Sequence, residues 1–156
     1  MKNIININIK KKEDYVSKFN ENILSNELSN YIMEECRGYA LKSDIYIEIT
    51  SEYNMDNLEK DNLVNMIRAT FGNEISEMLI YRRRHIIIDF LMIVFGTFAL
   101  IFYLLSSNIP ILSEMILIFS WILIGESVYN LIFTGFNNIV NMKRKRKLTN
   151  CEIIFK

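Results

Sequence analysis

Two long apolar runs dominate the distribution of hydrophobic positions. The first, Ile86 to Leu105, reads IIIDFLMIVFGTFALIFYLL, and the second fills residues 112–136 around MILIFSWILIGESVYNLIFTGF. A helix rises about 1.5 Å per residue, so about twenty residues cross a hydrocarbon core of about 30 Å. Both runs therefore predict transmembrane helices, at 86–105 and 112–136. Between them, Ser106-Ser107-Asn108-Ile109-Pro110 is short and polar, and Pro110 disfavours helix at the residue before it. A bend this short joins antiparallel neighbours, which makes the pair a hairpin.

Elsewhere the periodicity is that of a small soluble fold. In NIININIK, Ile5, Ile7 and Ile9 alternate with Asn6, Asn8 and Lys10, the period-two pattern of a half-buried strand. Lys10 to Asp14 reads as a solvated turn, and Tyr15 to Leu24 as a loop or short helix laid over the core. From Ser25, an N-cap residue type, Leu28, Ile32, Cys36 and Tyr39 mark one helical face. IYIEIT at Ile45–Thr50 is a second strand. Asp56 with Glu59 resembles a capping box. From there Leu63, Met66, Ile67, Phe71, Ile75, Met78 and Leu79 trace a helical face that nothing interrupts before the first span, with Gly72-Asn73 as the one expected kink or break. The terminal CEIIFK alternates again and predicts a third strand.

The expected architecture is an α/β cytoplasmic domain at 1–81, a transmembrane α-helical hairpin at 82–147, and a C-terminal strand at 148–156 that returns to the domain. A strand joined to the next through a helix is parallel to it, so the three-stranded sheet is predicted to be mostly parallel. Three strands and two helices bury little surface, and oligomerisation is expected to help.

Charge sharpens this picture. The chain balances 18 basic against 18 acidic residues, but residues 13–77 hold fourteen acids and five bases. The bases cluster at the span ends, as Arg82-Arg83-Arg84 and Lys143-Arg144-Lys145-Arg146-Lys147. Such flanks place both termini in the cytoplasm and suit topogenic contact with anionic headgroups. The acidic domain disfavours nucleic acid as a partner, because phosphate recognition rests on Lys and Arg. No apolar segment typical of a cleaved signal occurs in Met1–Lys12. Cys36 and Cys151 fall in the cytoplasmic part and read as reduced, half-buried apolar residues rather than a disulfide.

Polar residues inside the spans are the candidate site. Glu126, Asn130 and Thr134 follow one another at i, i+4 and i+8, and Ser120 and Ser127 lie seven apart, giving a stripe that packs an oligomer or lines a pore. Asp89, one turn inside the first span, is expected to pair with Arg82, His85 or the basic end of the second span. Gly96 and Gly125 permit close helix approach. No catalytic motif, metal-ligand cluster or cofactor loop accompanies them: His85 is the lone histidine, and no CxxC, HExxH, GxGxxG, P-loop or GxSxG is present.

The run Trp121-Ile122-Leu123-Ile124-Gly125-Glu126, the basic stretch Lys143–Lys147 and the strand at Glu152-Ile153 resemble small bacterial two-transmembrane-helix proteins of unknown function, which share this layout. The resemblance implies an integral membrane protein with an N-terminal cytoplasmic α/β region and no assigned activity. The expected function is a membrane-anchored oligomeric interaction or scaffold protein in the cell membrane, not an enzyme. Its partners would be the lipid bilayer, further copies of itself, and a cytoplasmic protein or small ligand. The alternative is a pore-forming or membrane-perturbing effector of the defence or toxin type, gated through the cytoplasmic domain. For either, a membrane-impermeant amine reagent should leave Lys2 and Lys156 unmodified on intact cells and reach them after permeabilisation; modification from outside would overturn the topology.

Overall fold

The computed structural model describes residues 3–105 and 110–156, so all of the expected bend except Pro110 lies outside the described residues. The chain divides into two compact units, Met1–Glu77 with Val140–Lys156, and Met78–Ile139.

The first unit is built on strands β1 (Asn3–Ile9), β4 (Ile45–Ser51) and β5 (Glu152–Phe155), ordered β1-β4-β5 with both pairings parallel. Register puts Ile5, Ile47 and Ile153 in one row and Ile7, Ile49 and Phe155 in the next. Those rows face helix α1 (Asn26–Arg37) and the first turns of helix α2 (Asn57–Leu105), which contribute Ile32, Met33 and Cys36, and Leu63, Met66, Ile67 and Phe71, to a single core. The opposite face stays open, with Ile4, Asn6, Asn8, Thr50, Glu152 and Ile154 exposed.

Side chains close the places where the backbone is left unpaired. Ser25 caps α1: its Oγ accepts from Leu28 N at 3.3 Å and donates to Asp14 O at 3.0 Å. On the outer edge of β1, Tyr39 donates to Ile4 O at 2.9 Å and Tyr31 to Asn6 O at 3.0 Å. Those hydroxyls occupy carbonyls that another strand would otherwise bind.

Tyr15–Leu24 is neither loop nor helix. After a short 3₁₀ turn at Lys12–Asp14 it forms an antiparallel hairpin of β2 (Val16–Ser17) and β3 (Asn20–Leu24), pairing Val16 with Leu24 and Ser17 with Asn20. Only Tyr15, Val16 and Leu24 are buried, which anchors the hairpin at its base. Asn20 Oδ1 accepts from Asn22 N at 2.9 Å to shape the turn, and Lys12 pairs with Glu21 at 2.9 Å. α2 likewise does not break at Gly72-Asn73. Fully buried Leu63, Ile67 and Phe71 fasten the helix just before that point.

The chain returns to this unit through α4 (Gly135–Asn150), whose Leu148 is fully buried and leads into Cys151 and β5. Arg144 Nη2 donates to Arg37 O at 3.2 Å, at the carbonyl end of α1, and Lys147 Nζ donates to Ser43 O at 2.5 Å. Lys145 pairs with Glu74 at 2.8 Å, and Lys156 with Glu48. Lys60 lies 5.8 Å from the centre of the Phe155 ring.

The second unit contains the rest of α2, helix α3 (Pro110–Tyr129), a π-helical turn at Asn130–Thr134 and the start of α4. The runs Asn57–Leu105 and Pro110–Asn150 are each long and apolar enough to cross a membrane, and 11% of each apolar window is buried. A soluble core helix would be mostly buried.

Cys36 and Cys151 are free thiols buried in the first unit. Burial raises both, Cys151 to about 11 from an ordinary 9.0. A group raised by folding contributes stability below its unfolded value and loses it as the pH climbs to the folded one. Denaturant titrations should show stability falling between pH 9 and pH 11, with Cys151 contributing about 3 kcal/mol of the decline. Cys151→Ala should flatten the curve by that amount, and both native thiols should resist a disulfide-exchange reagent at neutral pH.

Candidate functional site

In the second unit, buried positions recur every seven residues. On α2 they are Asp89 and Gly96, continued by half-buried Arg82 and Tyr103; on α3 they are Ser113, Ser120 and Ser127. A Cβ on Gly96 would stand 2.6 Å from Ile124 Cγ1 and 3.3 Å from Ser120 O, so the two backbones approach closely there. Small residues at such a seam let helices pack without a hydrophobic driving force. The serine hydroxyls do not bridge the helices. Each donates within its own helix, Ser113 to Pro110 O at 2.8 Å, Ser120 to Ile116 O and Ser127 to Leu123 O at 2.7 Å.

The π turn then shifts the phase. A strict repeat would carry Ser113, Ser120 and Ser127 on to Thr134. The wider turn at Asn130–Thr134 admits an extra residue, so Thr134 is exposed and Gly135 is the half-buried one. Glu126, Asn130 and Thr134 do not share one environment with the serines. Glu126 and Thr134 are exposed, Asn130 is half-buried, and Ser120 and Ser127 are sealed. Glu126 has no ion pair among the described residues.

Beside the π turn lies a cleft of about 510 Å³. Arg82, His85 and Asp89 of α2 line one side, and Asn130, Thr134 and Asn138 contribute the other polar groups. Ile86, Leu131, Ile132, Phe136 and Ile139 supply apolar walls. Asp89 is 5% exposed, yet its carboxylate has no hydrogen bond or ion pair among the described residues. The expected pairing with Arg82, His85 or the basic end of the second span is not formed. His85 is instead stacked on Tyr81, with ring centres 4.0 Å apart.

The basic residues divide into two groups. Arg144, Lys145 and Lys147 are engaged by the first unit, as described above. Lys143 and Arg146 are exposed and line a cleft of about 560 Å³ there with Asp44, Tyr46 and Glu152. Arg83 and Arg84 are exposed, while Arg82 faces the Asp89 cleft. A further cleft, about 310 Å³, joins Lys12, Tyr15, Glu21 and Glu59 near the carboxyl end of β1. Among the described residues no three His, Cys, Asp or Glu side chains come together to hold a metal ion.

Ser113, Asn138 and the Tyr81–His85 stack were not picked out from the sequence. The seven-residue spacing of the serines was the available signal for the first. No protein-family profile, curated protein or solved structure matches this chain.

The seam makes a differential prediction. Gly96→Val should destabilise the helix pair by about 1–3 kcal/mol, as overpacking does, read as a lower melting temperature in detergent. Gly125→Ala, where nothing lies within 4 Å of the added carbon, should melt within about 0.5 kcal/mol of the unaltered chain.

Proposed function

We propose that this chain is a membrane-anchored interaction protein that self-associates through its apolar helix pair and presents the acid-rich stretch 13–77 of its α/β unit to a cytoplasmic partner. The observation that carries the reading is the exposure of Glu126 on a helix whose other exposed residues are largely apolar. A carboxylate at the centre of a span costs about 2.5–3.5 kcal/mol on insertion scales, and such residues face protein rather than lipid. A second copy supplies the missing neighbour. The small share of each apolar window buried within one chain supports the same conclusion, since the remaining surface is available to lipid and to other protomers.

The first unit supports the partner half of the reading. Its sheet leaves one face open, where Asn6, Asn8, Thr50 and Glu152 stand exposed. Within the unit, the stretch 13–77, with fourteen acids and five bases, suits a basic protein surface.

Light scattering of the purified protein in detergent or nanodiscs tests self-association. The unaltered chain should run as an oligomer, and Glu126→Leu should move it toward smaller species. Membrane potential in expressing cells provides the second readout. An anchored interaction protein leaves the potential unchanged; depolarisation that Glu126→Leu abolishes would replace this reading with that of a pore.

A further inference from the structure

We infer that the outward face of α3 is the docking surface for a second copy of this chain, with Glu126 of each copy accepting a hydrogen bond from Tyr129 of the other. The inference rests on the membrane and self-association reading given above and names the interface. Met115, Phe119, Ile122, Glu126 and Tyr129 are all exposed. Their successive spacings of four, three, four and three keep them on one side of a helix. At about 100° per residue, that side lies opposite the buried Ser113, Ser120 and Ser127. α3 thus has small sealed residues on one face and large exposed ones on the other. Between Met115 and Ile122 the outward face carries an open groove of about 510 Å³, lined by apolar side chains alone.

Lipid covers an apolar groove as well as protein does, so Glu126 decides the occupant. Neither its carboxyl nor the Tyr129 hydroxyl has a hydrogen bond or ion pair among the described residues. The exposed hydroxyl on α2 is already satisfied, because Thr97 donates to Ile93 O at 2.8 Å within its own helix. Lipid therefore suits the outward face of α2, and α3 keeps the acid that needs protein. Copies inserted from the same side of one bilayer hold Glu126 at one depth. A two-fold axis along the helices then sets the two α3 faces against each other. Side chains on a helix lean toward its N-terminus, which carries the Tyr129 hydroxyl of one copy back to the level of Glu126 on the other. A phenol donates and a carboxylate accepts, so two reciprocal bonds satisfy both acids. Phe133 lies against Tyr129 with ring centres 4.9 Å apart and restricts the phenol. An unrelated helix would have to bring its own donor to this depth, whereas a second copy carries one.

Disulfide trapping of the full-length chain in isolated membranes tests the face. The unaltered chain, with both native thiols buried, gives the background. Met115→Cys, Phe119→Cys and Ile122→Cys should each yield a cross-linked dimer well above that background on mild oxidation. Trp121→Cys and Val128→Cys, exposed on the flank of the same helix, should stay near it. Cross-linking that is strongest at the flank, or equal at all five positions, would overturn the proposal, as would a product whose mass is not that of two copies. Dimer affinity in nanodiscs tests the bond. Tyr129→Phe should weaken association about tenfold, the loss of one interhelical hydrogen bond per copy. Glu126→Gln, which keeps an acceptor, should stay within about threefold of the unaltered chain. A Tyr129→Phe chain that associates as tightly as the unaltered one would sink the Glu126–Tyr129 contact. If light scattering shows the unaltered chain to be a monomer, the self-association reading fails as well. An oligomer that cross-links through another face defeats this proposal alone.

Discussion

The pairing of the first and last strands on either side of β4 is the constraint on which the rest of the structure depends. Ile47 and Ile49 are fully buried because β1 and β5 flank them in register while α1 and α2 cover them. β5 has four residues and no stability of its own. It can join the sheet only if the chain comes back to the unit it left along α2. The Glu74–Lys145 pair and the Arg144 contact to the carbonyl end of α1 secure that return ahead of the strand. The apolar helices are therefore an insertion between β4 and β5. Loop-closure entropy grows slowly with length, and a stiff helical excursion has few conformations to lose. A change in the helix pair consequently bears on the sheet through one short edge strand.

The helix pair follows a different rule. Both helices are long and apolar enough to cross a membrane, and in lipid, where apolar surface gains little by meeting another apolar helix, close packing of small residues would replace the hydrophobic effect. Gly96 against Ser120 is that approach, and buried positions recur at seven-residue spacing on both helices. The self-satisfied serine hydroxyls matter here, because a hydroxyl bonded to its own helix behaves as a small, nearly apolar surface. The π turn ends the regularity one step beyond Ser127, and the cleft with its unpaired Asp89 lies where it ends. Regular packing and the polar site thus occupy successive stretches of the same helices.

What could be read from the residues follows from these two rules. The strands at Asn3–Ile9 and Ile45–Ser51 alternate strictly because one face is buried and the other open, and α1 shows its face at helical spacing for the same reason. The β2–β3 hairpin gave no such signal: four of the five residues of β3 are exposed, so its pairing rests on backbone and turn chemistry rather than alternation. A π turn shifts phase by one residue and leaves no mark in composition, so Thr134 leaves the face of the serines, whereas Glu126, ahead of the turn and adjacent to Ser127, never shared it. Asp89 was legible as an anomaly, but the Tyr81–His85 stack is a choice of side-chain conformation that no pattern encodes.

The basic run Lys143–Lys147 shows why a charge cluster need not have one role. Residues three apart share a helix face, and Arg144 and Lys147 are so spaced. Both donate to backbone carbonyls of the first unit, at the end of α1 and in the loop after it. A cation at a helix carboxyl end is favoured by the helix dipole, so Arg144 stabilises α1 whether or not a membrane is near. Its buried Nε lacks a protein partner, which keeps part of the guanidinium's hydrogen-bonding capacity unused. Lys143 and Arg146, again three apart, remain exposed. One face of a single turn therefore fixes the returning chain to its sheet, and the other leaves its charge exposed. Exposed charge and fold-closing charge are different residues of the same run, separated by helical phase.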